Sequence, residues 1–228
     1  MRKGRGVTGL RSACLLLLLC LSATLSFEKQ AVAQCAARDV LHHDQKITEA
    51  PSGVFPPTLI ESAAGARVWK SIQIGTFANR GALHGALEDA GCQIGDTAEQ
   101  IFVASKFATG STSMKLDLFA ASVAELGIAR ENVAREDVLA RAQRLGFGLC
   151  AAEVGPQLRL QYFDQPVGEF LEVAMAPITT RDGASSIFVV ANGGAGLLLL
   201  GEEINANTRF FPSSRFVFTR PVDVAKAR

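Results

Sequence analysis

The sequence predicts an α+β domain, and three observations carry that expectation. Stretches with helical period and capping signals occupy the chain from Asn79 to Leu145. Beyond Cys150, short apolar runs are separated by Asp-Gly and Asn-Gly turn chemistry. No internal repeat ties the two halves together, and helices followed by strands segregate into an α+β layout rather than alternating βαβ units. The expected architecture is three or so short helices followed by an antiparallel β-meander of about four strands, with one or two earlier strands joining.

A basic head (Arg2, Lys3, Arg5, Arg11) precedes an apolar run from Ala13 to Leu21, and Ala31-Val32-Ala33 supplies small residues beyond it. That three-part pattern is a cleavable secretory signal over residues 1–33, which makes Gln34 the first mature residue. The run is too short for a spanning helix of roughly twenty residues, so no stable membrane anchor is expected after cleavage. The expected location is the periplasm or the exterior. Residues 34–65, with His42-His43-Asp44, Pro51-Ser52-Gly53 and Pro56-Pro57, read as a flexible arm. Residues 66–222 read as a single α+β domain and residues 223–228 as a tail.

The signal holds five basic side chains and one acid. The rest of the chain, with 18 Lys and Arg against 21 Asp and Glu, carries a formal charge of −3. Its basic residues are scattered, which excludes the concentrated positive surface that nucleic acid demands, so no nucleic-acid partner is expected. Cys35, Cys92 and Cys150 remain after cleavage. In an oxidising compartment three thiols imply one disulfide and one leftover. Cys92 with Cys150 is the expected pair, because both follow predicted helix ends while Cys35 sits on the arm, although sequence alone allows all three pairings. No CxxC spacing occurs, and adjacent histidines cannot easily converge on one ion, so neither metal nor cofactor is expected.

Val68, Ile72 and Ile74 alternate as a strand. Leu83, Leu87 and Ala90 then recur at helical spacing, with Gly91 as the stop. Asp96-Thr97-Ala98-Glu99 and Ser122-Val123-Ala124-Glu125 both have the form of a capping box. Met114–Phe119 alternates as a second strand, and Arg135–Leu145 carries an apolar stripe of Val138, Leu139, Ala142 and Leu145, with Arg141 and Arg144 facing away. Phe170–Ile178, Ile187–Ala191, Leu197–Leu200 and Phe216–Thr219 are the later strands, Leu197–Leu200 being apolar enough for burial on both faces. Leu158–Tyr162 also alternates like a strand.

The segments Trp69–Thr76, Ala90–Asp96 and Leu149–Tyr162 resemble an uncharacterised family of small bacterial proteins, over about residues 68–220. The resemblance implies a bacterial, periplasmic origin and no known activity.

Catalytic signatures are missing: no phosphate-cradling Gly-rich loop, GxSxG elbow or HExxH motif occurs. His84 alone is available to a triad outside the arm, and with no partner at helical spacing it reads as a partly exposed surface histidine. The richest polar stretch is Gly155–Glu169. Arg159, Tyr162, Asp164 and Glu169 are the candidate binding residues, since Tyr and Arg combine apolar area with directed hydrogen bonds. Two functions are carried forward. One is an exported binding module for an unknown protein or small molecule, with no chemistry of its own. The other is a small hydrolase using Glu153, Asp164 and Glu169 as acid and base.

Overall fold

The computed structural model describes Cys35 and residues 58–221; the expected signal, most of the expected arm and the expected tail lie outside the described residues. The fold reaches back into the expected arm, where the Ile60 and Ala63 amides donate to the Glu125 and Leu145 carbonyls. Its centre is one sheet of eight strands. In chain order these are β1 (Lys70–Ile74), β2 (Gln93–Ile94), β3 (Met114–Ser122), β5 (Phe170–Val173), β6 (Ile178–Thr179), β7 (Ser185–Asn192), β8 (Leu197–Glu203) and β10 (Arg215–Phe218). A two-stranded sheet pairs β4 (Val133–Ala134) with β9 (Arg209–Phe210). Four helices complete the elements among the described residues: α1 (Arg80–Asp89), α2 (Asp96–Val103), α3 (Arg135–Arg144) and α4 (Val154–Arg159). No helix among the described residues is long and apolar enough to cross a membrane.

The class is α+β, but the sheet is mixed rather than a plain antiparallel meander. Its order is β1-β3-β10-β5-β7-β8-β2, with β6 attached to β7. The last strand, β10, inserts between β3 and β5 and runs parallel to β5; β2 runs parallel to β8 at the far edge. Both turn signals mark hairpins, Arg181-Asp182-Gly183 joining β6 to β7 and Asn192-Gly193-Gly194 leading from β7 to β8, but neither Asp182 nor Asn192 takes a positive φ. Val190↔Leu199 and Leu171↔Val190 fix the register that puts Leu171, Val190, Leu197 and Leu199 on one face, all fully buried. Leu198 and Leu200 point the other way and are only half-buried, so β8 is not covered on both faces.

Helices α1, α2 and α4 pack against the face carrying Leu199 and Phe188. Phe102 of α2 meets Phe188 with ring centroids 5.6 Å apart, and Phe107 lies 5.0 Å from Phe102. Gly155 lets α4 approach β7, since a Cβ there would come within 2.7 Å of the Phe188 Cβ. Gly201 does the same for α2, where a Cβ would stand 2.6 Å from the Ala98 amide nitrogen. On the opposite face Phe147 packs on Phe119 and Phe218, and Phe210 of β9 packs on Phe216.

Local capping only partly follows the motifs. Asn79 caps α1 through its side chain, accepting from the Ala82 amide, and Gly91 takes a left-handed φ of 70° after the helix. Asp96 lies inside α2 rather than at its cap; Gly95 holds that position and no side chain caps the helix. The second capping box does form: the Ser122 amide donates to Glu125 Oε2 (2.7 Å) and the Glu125 amide to Ser122 Oγ (3.1 Å). Leu158 and Arg159 belong to α4, and Leu160 is its C-cap, so Leu158–Tyr162 is not a strand.

Candidate functional site

Among the described residues, the disulfide joins Cys35 to Cys92, with Cα atoms 4.6 Å apart, and Cys150 is a free, buried thiol. This corrects the expected Cys92–Cys150 pair. Cys35 is not loose on an arm: its amide donates to the Ala90 carbonyl and its carbonyl accepts from Leu197, which seats it beside the end of α1. Cys150 instead lies against β10, its Sγ donating to the Val217 carbonyl, and burial pushes its thiol up, away from reactivity.

The four candidate binding residues separate into a core and a rim. Arg159 is fully buried and donates to Gln165 Oε1, the Ala191 carbonyl and the Tyr162 carbonyl, with no carboxylate partner among the described residues. Burial lowers its pKa to about 10. Tyr162 is also buried, edge-on to Trp69 at 5.1 Å, and its hydroxyl donates to Glu169 Oε2 (2.8 Å). Burial first, and that bond second, push the phenol well above its usual range. Glu169 completes the chain by accepting from Arg215 Nη1 at 3.0 Å. Only Asp164 stands in solvent, 3.4 Å from Lys70 Nζ. Arg159 and Tyr162 therefore shape the loop from within instead of offering side chains to a ligand, because a buried guanidinium needs several acceptors and finds them in the loop's own carbonyls.

Of the three acids of the hydrolase reading, Asp164 and Glu169 share a neighbourhood around Tyr162, over whose ring Lys70 Nζ lies at 4.5 Å. Glu153 is buried and accepts from the Gly75 amide, whereas Asp164 faces Lys70 and Glu169 faces Tyr162 and Arg215. His84 is half-buried, with Nε2 2.8 Å from Glu99, Nδ1 3.4 Å from Glu88 and its ring edge-on to Phe102.

Two polar constellations were not foreseen. The first brings Glu172 of β5, Glu202 of β8 and Arg135 of α3 to one face of the sheet. Register places Glu172 opposite Val189 and Glu202 opposite Ile187 on the same strand, β7. Burial and the neighbouring Glu202, through its charge and a shared hydrogen bond, push the Glu172 carboxyl up to about 9, with Arg135 opposing. Arg135 Nη2 donates to the Met175 carbonyl, and burial pulls its pKa down against the raising effect of Glu172, Glu136 and Glu202. An acid inside the apolar run Phe170-Leu171-Glu172-Val173 was the available signal.

The second is an open groove of about 370 Å³ between α3 and the turn after β3. Residues 127–130 form one wall; Asp137, Ala140, Arg141 and Arg144 form the other. Those four helix positions fall at i, i+3, i+4 and i+7, a single stripe of α3. The capping-box turn builds the facing wall. It is tied to the segment before β10 by the Val123 and Ala124 amides, which donate to the Ser214 and Pro212 carbonyls. Gly127 closes the turn with φ 83°, and Arg141 Nε donates to the Leu126 carbonyl at 2.8 Å. Arg130 Nη2 meets Asp137 Oδ2 at 2.5 Å. No carboxylate among the described residues pairs with Arg141 or Arg144. Their three-residue spacing on α3 was visible in the sequence; the arrival of Arg130 from a loop was not. The chain matches no family model, no curated protein and no solved structure.

Proposed function

We propose that the mature chain is an exported binding module that performs no chemistry of its own. The observation that carries this reading is the buried Cys35–Cys92 disulfide, which anchors the start of the mature chain to the folded body. Such a bond persists in oxidising compartments and supports a periplasmic or secreted location. The burial of Glu153 on the Gly75 amide and the engagement of Glu169 by Tyr162 and Arg215 favour binding over hydrolysis, since acid–base catalysis needs two carboxyls free to reach one substrate. Fractionation of a bacterial host expressing the full chain tests this. A periplasmic product beginning at Gln34, with Cys35 and Cys92 oxidised, is expected. A full-length chain held in the cytoplasm overturns the export reading, and turnover of model esters or glycosides that Glu153→Gln abolishes overturns the binding one.

A further inference from the structure

We infer that the cleft between α3 and residues 127–130 is a binding site for a small organic oxyanion, a carboxylate or phosphate monoester carrying a compact apolar body. The inference rests on the binding-module reading and deepens it by naming the site and the ligand class.

The walls set the chemistry. Arg130, Arg141 and Arg144 against Asp137 leave two uncompensated positive charges around an open groove of about 370 Å³. Gly127, Ile128, Ala129 and Ala140 supply apolar surface between them. Guanidinium groups recognise carboxylate and phosphate through paired N–H donors, a geometry that a lysine cannot reproduce.

Basic residues in a last turn often serve only to complement the helix dipole. Arg141 does something else: its Nε reaches across the cleft to the Leu126 carbonyl, not back to the carbonyls of α3. That bond fixes the guanidinium plane at the cleft wall, where Nη2 would lie 3.3 Å from a Cβ added at Gly127. A side chain larger than hydrogen at 127 would crowd this fork. Pre-positioning of this kind removes much of the entropy cost of ordering an arginine upon binding. Arg144 is exposed one turn further along the same stripe, and the Asp137–Arg130 pair neutralises the cleft's acid, so that it does not repel an incoming anion.

The test titrates the mature, oxidised chain with phenyl phosphate, benzoate, inorganic phosphate and neutral benzyl alcohol, following arginine Nε–H and backbone amide resonances. Phenyl phosphate or benzoate should shift Arg141 and the amides of residues 127–130, and binding should weaken as salt rises, because exposed charges are screened over about 8 Å at physiological ionic strength. Benzyl alcohol should not bind. Which oxyanion binds more tightly separates carboxylate from phosphate ligands. Arg144→Ala should lose about tenfold in affinity with the melting temperature unchanged, and Arg141→Lys should also weaken binding although it keeps the charge. Asp137→Asn should tighten binding, a change of opposite sign that general loss of structure would not produce. Shifts confined to other regions, or equal affinities in Arg144→Ala and the parent, overturn the inference. Export with an unresponsive cleft removes this site but leaves the binding-module reading standing; catalytic turnover removes that reading but not the oxyanion site.

Discussion

Gln161 closes a two-bond ring with the main chain of Gln73: the Gln73 amide donates to Gln161 Oε1, and Gln161 Nε2 donates to the Gln73 carbonyl, each at 2.8 Å. Because β1 is the edge strand, the side-chain amide occupies the place of a neighbouring strand. Gln161→Leu should cost about 1 kcal/mol in urea unfolding, the net worth of such bonds. It should also raise concentration-dependent association in light scattering, since an open edge pairs with another chain.

Arg159 holds its loop from inside. Arg159→Ala strands Gln165 Oε1 and the carbonyls of Tyr162 and Ala191, and a loss of about 3 kcal/mol is expected because charge-assisted bonds and buried acceptors are lost together. Tyr162→Phe removes only the hydroxyl bond to Glu169 and should cost about 1 kcal/mol. Denaturant midpoints at constant slope check both.

Glu172 makes stability depend on pH. With its pKa raised in the native state, the folded protein holds a proton that the unfolded chain releases near its usual 4.5. The unfolded state then binds fewer protons at this group, so the contribution of Glu172 to stability is greatest below pH 4.5 and falls as pH rises toward 9. The slope reaches at most about 1.4 kcal/mol per pH unit for one proton. Glu172→Gln should flatten this slope and leave the variant more stable than the parent at pH 8, as measured by denaturant titration across pH. An unchanged slope would falsify the assignment.

The disulfide closes a loop with a sequence separation of 57 residues. Its removal in Cys35→Ala should lower stability by about 4 kcal/mol in the chain-entropy account. Cys150 should be silent: the mature oxidised chain should react with no thiol reagent when native and with one equivalent in denaturant.

Helix α1 was legible because Leu83 and Leu87 keep the helical period between Asn79 and Gly91, all local signals. The β7 and β8 strands were legible through the Asn-Gly turn between them. Helix α4 was not: all six of its residues are buried, so no polar face reveals a period, and Gly155-Pro156 argues against a helix. Cys35 was misread because turn-rich neighbours hid its contact with Ala90 and Leu197, which lie 55 and 162 positions further along the chain. Polar residues in the Arg159–Glu169 stretch marked interest correctly, but sequence cannot separate a buried arginine bound to carbonyls from an exposed one. For the cleft, Asp137, Arg141 and Arg144 formed a readable stripe, while its opposite wall depends on a turn docked through Pro212 and Ser214.

The position of β10 sets when the domain can close. Residues 215–218 come after every other strand in chain order, yet they fill the gap between β3 and β5. Before they emerge, β3 has only β1 beside it, and the β5-β7-β8-β2 group has nothing to join it to that pair. A nascent chain therefore lacks a complete sheet until residue 218 has left the ribosome, and distant pairing of this kind forms slowly. Under the export reading proposed above, that delay would give a translocation machine time to take up an extended polymer, with the sheet closing after transport.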